Sequence, residues 1–313
     1  MKFGIVGAGA MGCLLGSFLA SVKEDVWLVD IWEEHVARIK KNGLMVMKEG
    51  KPEIVKVHAT TDPREVEICD VVIISTKFHH TRNAVQGALC MIGDETVVMT
   101  IQNGIGNVEI ISEFVNPKQI IFGLTTLGSV MKGPGMIEVT FFQNADTFLW
   151  SLVGEPWDKV QNAISVFNRA GLNFHLSPDV RERIWKKLCL NASVSMVLSI
   201  PKLKCGDFIN QPSSFELIKG LIYEIVAVAN KEGVILKPEE AYEYVLTLGK
   251  QAPDHLPSPL MDVLNCRKTE IDCLNGAIVE KAKLYGIEVP YNTVIYHLVR
   301  IIENTYNKYI QHP

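Results

Sequence analysis

The sequence predicts an α/β protein, with a doubly wound parallel sheet in the first half and an all-α second half. Three observations predict it. Apolar runs of strand length alternate with amphipathic helical stretches up to residue 176, the pattern of parallel strands joined by helices. From Ser177 onward, long helical patterns follow one another. The alternation opens on Phe3–Val6, an apolar run of buried-strand type. Gly7, Gly9 and Gly12 follow at once in G-x-G-x-x-G spacing, and Leu14, Leu15, Phe18 and Leu19 continue at helical spacing.

Each glycine of that opening has its own task. Gly7 permits a tight strand-to-helix turn, Gly9 lets a pyrophosphate approach the backbone, and Gly12 lets the helix pack on the strand. The helix start, with Ala8, Ala10 and Met11 between the glycines, offers free N–H groups and a positive dipole end to phosphates. A second strand over 26–29 ends in Asp30, 18 residues past Gly12. That is close to the ~20 expected of an acid that binds the adenosine ribose. These features predict a Rossmann-type dinucleotide site.

The elements then follow in order. A helix is expected over 33–41, ended by Asn42-Gly43, and short strands over 44–47 and 54–60. The run 70–77 is a strong buried-strand pattern ending in Thr76-Lys77. A helix over 81–91 leads to a strand over 96–101, which ends in Gln102-Asn103-Gly104. Ligands of such sheets lie beyond the carboxyl ends of the strands, so Asp30, Lys77 and Asn103 fall at the ligand edge. Further strands are expected over 120–124, 136–141 and 172–176, with a helix over 157–170. After Ser177-Pro178-Asp179 come five helices, over 181–199, 214–232, 238–250, 261–285 and 290–309. The domains expected are therefore 1–176, binding the dinucleotide, and 177–313, all-helical and carrying substrate and catalysis.

Composition narrows the function classes. A net charge of −4 and a pI near 6.1 give no basic surplus for nucleic acid. Seven scattered cysteines, odd in number and without a C-x-x-C, read as reduced thiols of a cytoplasmic protein. The N-terminal apolar run resembles a signal peptide, but the glycine spacing explains it better. No stretch reaches 18 consecutive apolar residues, so no membrane span is expected. His79-His80 lacks a third ligand at metal spacing, and no metal site is expected.

Reduction of a carbonyl needs a cationic or acidic donor at the developing alkoxide. In Trp185-Lys186-Lys187-Leu188-Cys189-Leu190-Asn191, a helix puts Lys187, Asn191 and Ser195 on one side at i, i+4 and i+8. Trp185, Leu188 and Leu190 supply apolar bulk that would lower the lysine pKa. A Lys-Lys pair is more often a solvated face. A second group, Arg267-Lys268-Thr269-Glu270-Ile271-Asp272, would let Glu270 meet Lys187 across two helices, or form a surface ion pair.

Together these stretches resemble the ketopantoate reductase family (2-dehydropantoate 2-reductases) over nearly the whole chain. Gly7 to Gly12 resembles its cofactor loop, and Thr76-Lys77 its cofactor-touching strand end. Gln102-Asn103-Gly104 resembles the turn whose asparagine sits beside nicotinamide and substrate. Trp185-Lys186-Lys187-Leu188 is similar to the family's W-x-K-L, which implies Lys187 as proton donor. Thr269-Glu270-Ile271-Asp272 is similar to its T-E-I-D, which implies Glu270 at the active site. Asn191 and Ser258 match substrate-binding positions, Ser258 as the holder of the substrate carboxylate. The resemblance implies NAD(P)H-dependent reduction of a small-molecule 2-keto acid, ketopantoate to D-pantoate, in a cleft between the domains of a monomer or homodimer.

Four positions depart from the family pattern. Ser195, Cys205 and His255 stand where pantoate-forming members carry asparagine, so the pocket is open to another 2-keto acid. Asp30 stands where NADPH-using members, the usual kind, carry a basic or neutral residue. A carboxylate there favours NADH. In this the chain is similar to the NAD-dependent D-2-hydroxyacid (D-mandelate type) dehydrogenases of the same superfamily. A non-catalytic dinucleotide sensor is the reading from another class, and it would need neither Lys187 nor Glu270.

Overall fold

The computed structural model describes residues 1–308. The chain divides into two compact units. One holds Met1–Gln102 and Asn107–Val180, and the other holds Asn103–Gly106 with the chain from Arg181 on. The break therefore falls after Val180 rather than after 176, and a four-residue excursion at Asn103 belongs to the helical unit.

The first unit is the expected α/β domain. Its strands are β1 (Lys2–Val6), β2 (Asp25–Val29), β3 (Leu44–Lys48), β4 (Lys51–Val55), β5 (His58–Thr60) and β6 (Val71–Ile74). They continue with β7 (Val97–Thr100), β8 (Ile120–Thr125), β9 (Gly128–Gly133), β10 (Met136–Phe141), β11 (Asp146–Ser151) and β12 (Asn173–Leu176). Eight of these form one sheet in the order β12-β11-β8-β7-β6-β1-β2-β5. The pairs from β5 to β8 are parallel, and β11 meets β8 antiparallel. The order turns back at β1, which has β2 on one side and β6 on the other. Such a switch point opens a crevice at the strand ends, where doubly wound folds bind nucleotides.

A second sheet, β4-β3-β10-β9, was only partly legible. The expected strand over 54–60 is in fact two, β4 and β5, in different sheets. The change to a β-meander pattern around Met136 is present, but the sequence pattern does not delimit its neighbours β9 and β11. Helix α1 (Ala10–Ser21) packs against β2 in the first sheet and against β3, β9 and β10 in the second. Enclosure between two sheets explains why α1 is apolar nearly all round. It also accounts for the signal-like composition of the N-terminus. The remaining helices of this unit are α2 (Glu33–Asn42), α3 (Thr81–Ala88), α4 (Asn107–Ser112) and α5 (Asp158–Arg169).

The second unit is helical: α6 (Val180–Leu190), α7 (Cys205–Ile209), α8 (Pro212–Lys231), α9 (Pro238–Gln251), α10 (Ser258–Leu264), α11 (Asn275–Tyr285) and α12 (Pro290–Asn304). Two expectations are corrected here. The helix over 181–199 is not continuous: α6 gives way to a π-helical turn, Asn191–Ser195, and a 3₁₀ turn, Val197–Ser199. The helix over 261–285 is broken between α10 and α11 by a loop in which Cys266 takes a positive φ of 52°. The expected end of the last helix at 309 lies outside the described residues. Among the described residues no helix is long and apolar enough to cross a membrane.

Candidate active site

The first unit presents a nucleotide cradle whose shape follows from its glycines. Gly7 has φ +97°, and a Cβ there would lie 2.8 Å from the Ser75 and Thr76 backbone. A Cβ on Gly12 would lie 2.1 Å from the Gly7 carbonyl oxygen, so α1 packs on the turn only with glycine there. A Cβ on Gly9 would meet nothing within 4 Å, which leaves its backbone approachable. Gly9, Ala10 and Met11 are part-exposed, whereas Gly7, Ala8 and Gly12 are buried. The residues present thus fit a dinucleotide: an open backbone at the start of α1 in front of the switch point.

Asp30 lies at the end of β2, part-exposed, and its Oδ1 accepts the Trp32 N–H at 2.9 Å. Two basic residues of α2 form surface ion pairs, and the third, Lys41, is exposed. Arg38 pairs with Glu34 at 3.5 Å and Lys40 with Glu65 at 3.6 Å. Lys77 is part-exposed just past β6 and opens the 3₁₀ turn Phe78–His80. The ends of β6 and β7 are tied by Gln102, whose amide donates to the Thr76 carbonyl at 2.7 Å and the Thr81 hydroxyl at 2.8 Å.

The helical unit gathers a second constellation. On α6, Lys186 pairs with Glu182 at 2.6 Å, and Lys187 turns the other way. Its Nζ donates to Asn103 Oδ1 at 3.0 Å. Asn103 Nδ2 in turn reaches Glu270 Oε2 at 3.5 Å. One amide therefore lies between the lysine and the glutamate, oxygen to the cation and nitrogen to the carboxylate. Lys187 retains some accessible surface, but enough protein surrounds its amino group that desolvation pulls its pKa down to about 8, against the opposing charge of Glu270. Trp185 and Leu188 are buried beside it, as the sequence implied.

Glu270 is not on a helix, contrary to the expectation. It is buried in the loop before α11 and opens the 3₁₀ turn Ile271–Cys273. The neighbouring residues of T-E-I-D act on the backbone. Glu303 of α12 accepts from the Thr269 N–H at 2.7 Å and the Thr269 hydroxyl at 2.6 Å. Arg300 reaches Glu303 at 3.3 Å and Asp272 at 3.7 Å. Sequence reasoning missed Glu303 and Arg300, which sit some 30 residues away on another element. The Asn103 turn is seated on the same loop: Ile105 N–H donates to the Cys273 carbonyl at 3.0 Å. Gly104 has φ +78°, and a Cβ there would stand 2.3 Å from that carbonyl oxygen.

Asn191 and Ser195 are the part-exposed residues of the π turn, with Ala192, Ser193 and Val194 buried between them. Ser258 is exposed in the first turn of α10, and α10 packs on the π and 3₁₀ turns. Cys205 is buried, its thiol directed to the Gly249 carbonyl at 3.5 Å, and its N–H donates to the His255 carbonyl at 3.4 Å. Cys205 thus serves the helix core, while His255 keeps an exposed surface. Among the described residues no group of three or more His, Cys, Asp or Glu is arranged to hold a metal ion.

Comparison with known proteins identifies the family of the chain. A family model described as ketopantoate reductase PanE/ApbA matches residues 3–149, and its C-terminal counterpart matches residues 179–303. The chain belongs to the ketopantoate reductase family. Ketopantoate reductases are NAD(P)-dependent oxidoreductases, and relatives of full length are close. The 2-dehydropantoate 2-reductase of Streptococcus pyogenes is 31% identical over 304 residues, covering 97% of this chain and 98% of that one. That of Pyrococcus horikoshii is 32% identical over 306 residues, again covering 97% and 98%. Among solved structures, D-mandelate dehydrogenase with NADH and anilino(oxo)acetate superposes with a TM-score of 0.93 at 29% identity, covering 98% of this chain and 99% of that one. A family ketopantoate reductase from Ralstonia eutropha superposes with a TM-score of 0.90 at 28% identity, covering 98% and 100%.

Gly9 and Gly12 make separable predictions. Gly9→Ala keeps the fold, with a melting temperature within about 2 °C of wild type, because the site is open and its φ is ordinary. It weakens NADH and NADPH binding at least about tenfold by crowding the phosphates. Gly12→Ala instead lowers the melting temperature by several degrees, since its Cβ collides with backbone. Calorimetry and cofactor titration of the two variants check both outcomes.

Proposed function

We propose that this ketopantoate reductase family member reduces the keto group of a 2-keto acid, ketopantoate being the substrate, to the D-2-hydroxy acid. The observation that carries the reading is the desolvated Lys187 amino group hydrogen-bonded to Asn103 at 3.0 Å. A lysine whose pKa is about 8 is still protonated at neutral pH and gives up its proton far more readily than a solvated one.

Gly7, Ala8, Gly9, Ala10, Met11 and Gly12 would hold the dinucleotide phosphates, with Asp30 at the adenosine ribose and Lys77 and Asn103 toward the nicotinamide half. When bound, the reduced nicotinamide supplies the hydride to the keto carbon. Lys187 Nζ polarises the carbonyl and delivers its proton to the oxygen as negative charge develops there. Asn103 Oδ1 aims that ammonium, and Glu270 keeps it charged and fixes the Asn103 amide through its nitrogen. Asn191 and Ser195 line the same side and hold the substrate with Ser258, whose hydroxyl donates to the carboxylate.

The same reading covers cofactor choice. Asp30 accepts hydrogen bonds from a ribose diol but repels a 2′-phosphate. Two like unit charges about 4 Å apart repel by about 4 kcal/mol at an effective dielectric of ~20. Solvent lowers this, yet about 1.4 kcal/mol already gives a tenfold preference. Of the basic residues that could offset it, Arg38 and Lys40 are paired with Glu34 and Glu65, and Lys41 is exposed. The likeness to D-mandelate dehydrogenase with NADH supports NADH as the preferred cofactor.

These roles have measurable consequences. Lys187→Ala lowers kcat by roughly 10²–10⁴ while the dissociation constant for NADH stays within twofold. In the wild type kcat/KM for the keto acid falls as pH rises through about 8, because the donor is lost on deprotonation. A variant with more than half of wild-type turnover removes Lys187 from the role. For cofactor choice, kcat/KM with NADH exceeds that with NADPH about tenfold or more at one ionic strength, and Asp30→Asn narrows the ratio. Stronger use of NADPH by the wild type refutes that assignment.

A further inference from the structure

We infer that Asn275 is a positioning residue for substrate binding: its side-chain amide secures the π-helical turn that brings Ser195 onto the face shared by Lys187 and Asn191. The inference rests on the reading of that face as the keto-acid site. In a straight α-helix each residue turns about 100°, so i+4 stands about 40° and i+8 about 80° from residue i. A π turn takes one more residue per turn. Ser195 is thereby brought back to about the i+7 direction, some 20° from Lys187 on the other side. The Met196 N–H to Asn191 carbonyl bond of 2.8 Å, spanning five residues, is the signature of that extra residue. The result matches the exposure pattern, with Asn191 and Ser195 reachable and the three residues between them buried.

A π turn interrupts the regular i→i+4 ladder, and here it does so in a buried segment where backbone carbonyls need partners. Two buried side chains take up carbonyls of this region. Ser193 Oγ donates to the Cys189 carbonyl at 2.6 Å from within the turn. Asn275 Nδ2, from the start of α11, donates to the Ala192 carbonyl at 3.1 Å.

The direction of the Asn275 amide is dictated from behind. Glu224 of α8 accepts from the backbone N–H groups of Tyr291 and Asn292 at 2.8 and 2.9 Å, and from Asn292 Nδ2 at 2.7 Å. A carboxylate only accepts, so Asn292 turns its nitrogen to Glu224 and its oxygen to Asn275. Asn275 Nδ2 donates to that oxygen at 3.0 Å and to Ala192 on the far side. Asn275 and Asn292 are both wholly buried. Among the described residues, Asn275 Oδ1 has no hydrogen-bond partner. A fully enclosed amide that gives up its acceptor so that its nitrogen can serve both neighbours is held for what the nitrogen does.

Steady-state kinetics and melting temperatures of Asn275→Ala and Ser193→Ala test this, with ketopantoate and NADH as probes. Asn275→Ala raises the KM for the keto acid at least about fivefold, leaves the KM for NADH within twofold, and keeps the pH dependence centred near 8. Ser193→Ala does the same to a smaller extent, about two- to threefold, and carries the test where Asn275→Ala is too unstable to purify. A lowered melting temperature with a wild-type keto-acid KM in a soluble variant overturns the inference and makes Asn275 purely structural. A wild-type protein that oxidises neither NADH nor NADPH with any 2-keto acid overturns the functional reading, and this inference with it.

Discussion

An ammonium group withdrawn from water either finds compensating partners or loses its proton, and the helical unit is arranged around that constraint at Lys187. Burial pulls the lysine pKa down, and the nearby Glu270 charge opposes this. The Asn103 amide joins the two by presenting its oxygen to one and its nitrogen to the other. Everything that fixes Asn103 and Glu270 therefore bears on the proton. That includes the Glu303 bonds to Thr269, the Arg300 contacts with Glu303 and Asp272, and the seating of Gly104 and Ile105 on Cys273. Lys186, the neighbour of Lys187 in sequence, pairs instead with Glu182 on the partly exposed side of α6.

The nucleotide cradle obeys a different rule, one of space rather than charge. Gly7 and Gly12 are confined by backbone atoms, while Gly9 is open. The same motif thus contains two glycines that hold the turn together and one that leaves room for a ligand. Helix α1 is enclosed by both sheets, so its composition is that of a core element.

Much of this was legible in the sequence because it is local. The parallel strands are continuous apolar runs, and the ligand-edge positions of Asp30 and Lys77 follow from where those runs stop. The illegible parts depend on distant partners. β4 (Lys-Pro-Glu-Ile-Val) is exposed except at its half-buried last residue, Val55, and β9 and β11 pair with strands that periodicity does not identify. The π turn looks like ordinary helix from Asn191 to Ser195, because what sustains it is Asn275, more than 80 residues on. The break that frees Glu270 from a helix lies inside a stretch of helical spacing, and Thr269 is held there by Glu303 across to α12. Helical periodicity reports which side of a segment is apolar, and it is silent on whether another element interrupts the hydrogen-bond ladder.

The central claim is that Lys187 carries a proton it can release near neutral pH. It is tested most directly by NMR titration of the protein labelled with ¹³C at lysine Cε, using Lys187→Arg to assign the resonance. The Lys187 signal is expected to titrate near pH 8. A Lys187 signal that titrates near 10.4, as a solvated lysine does, would contradict it.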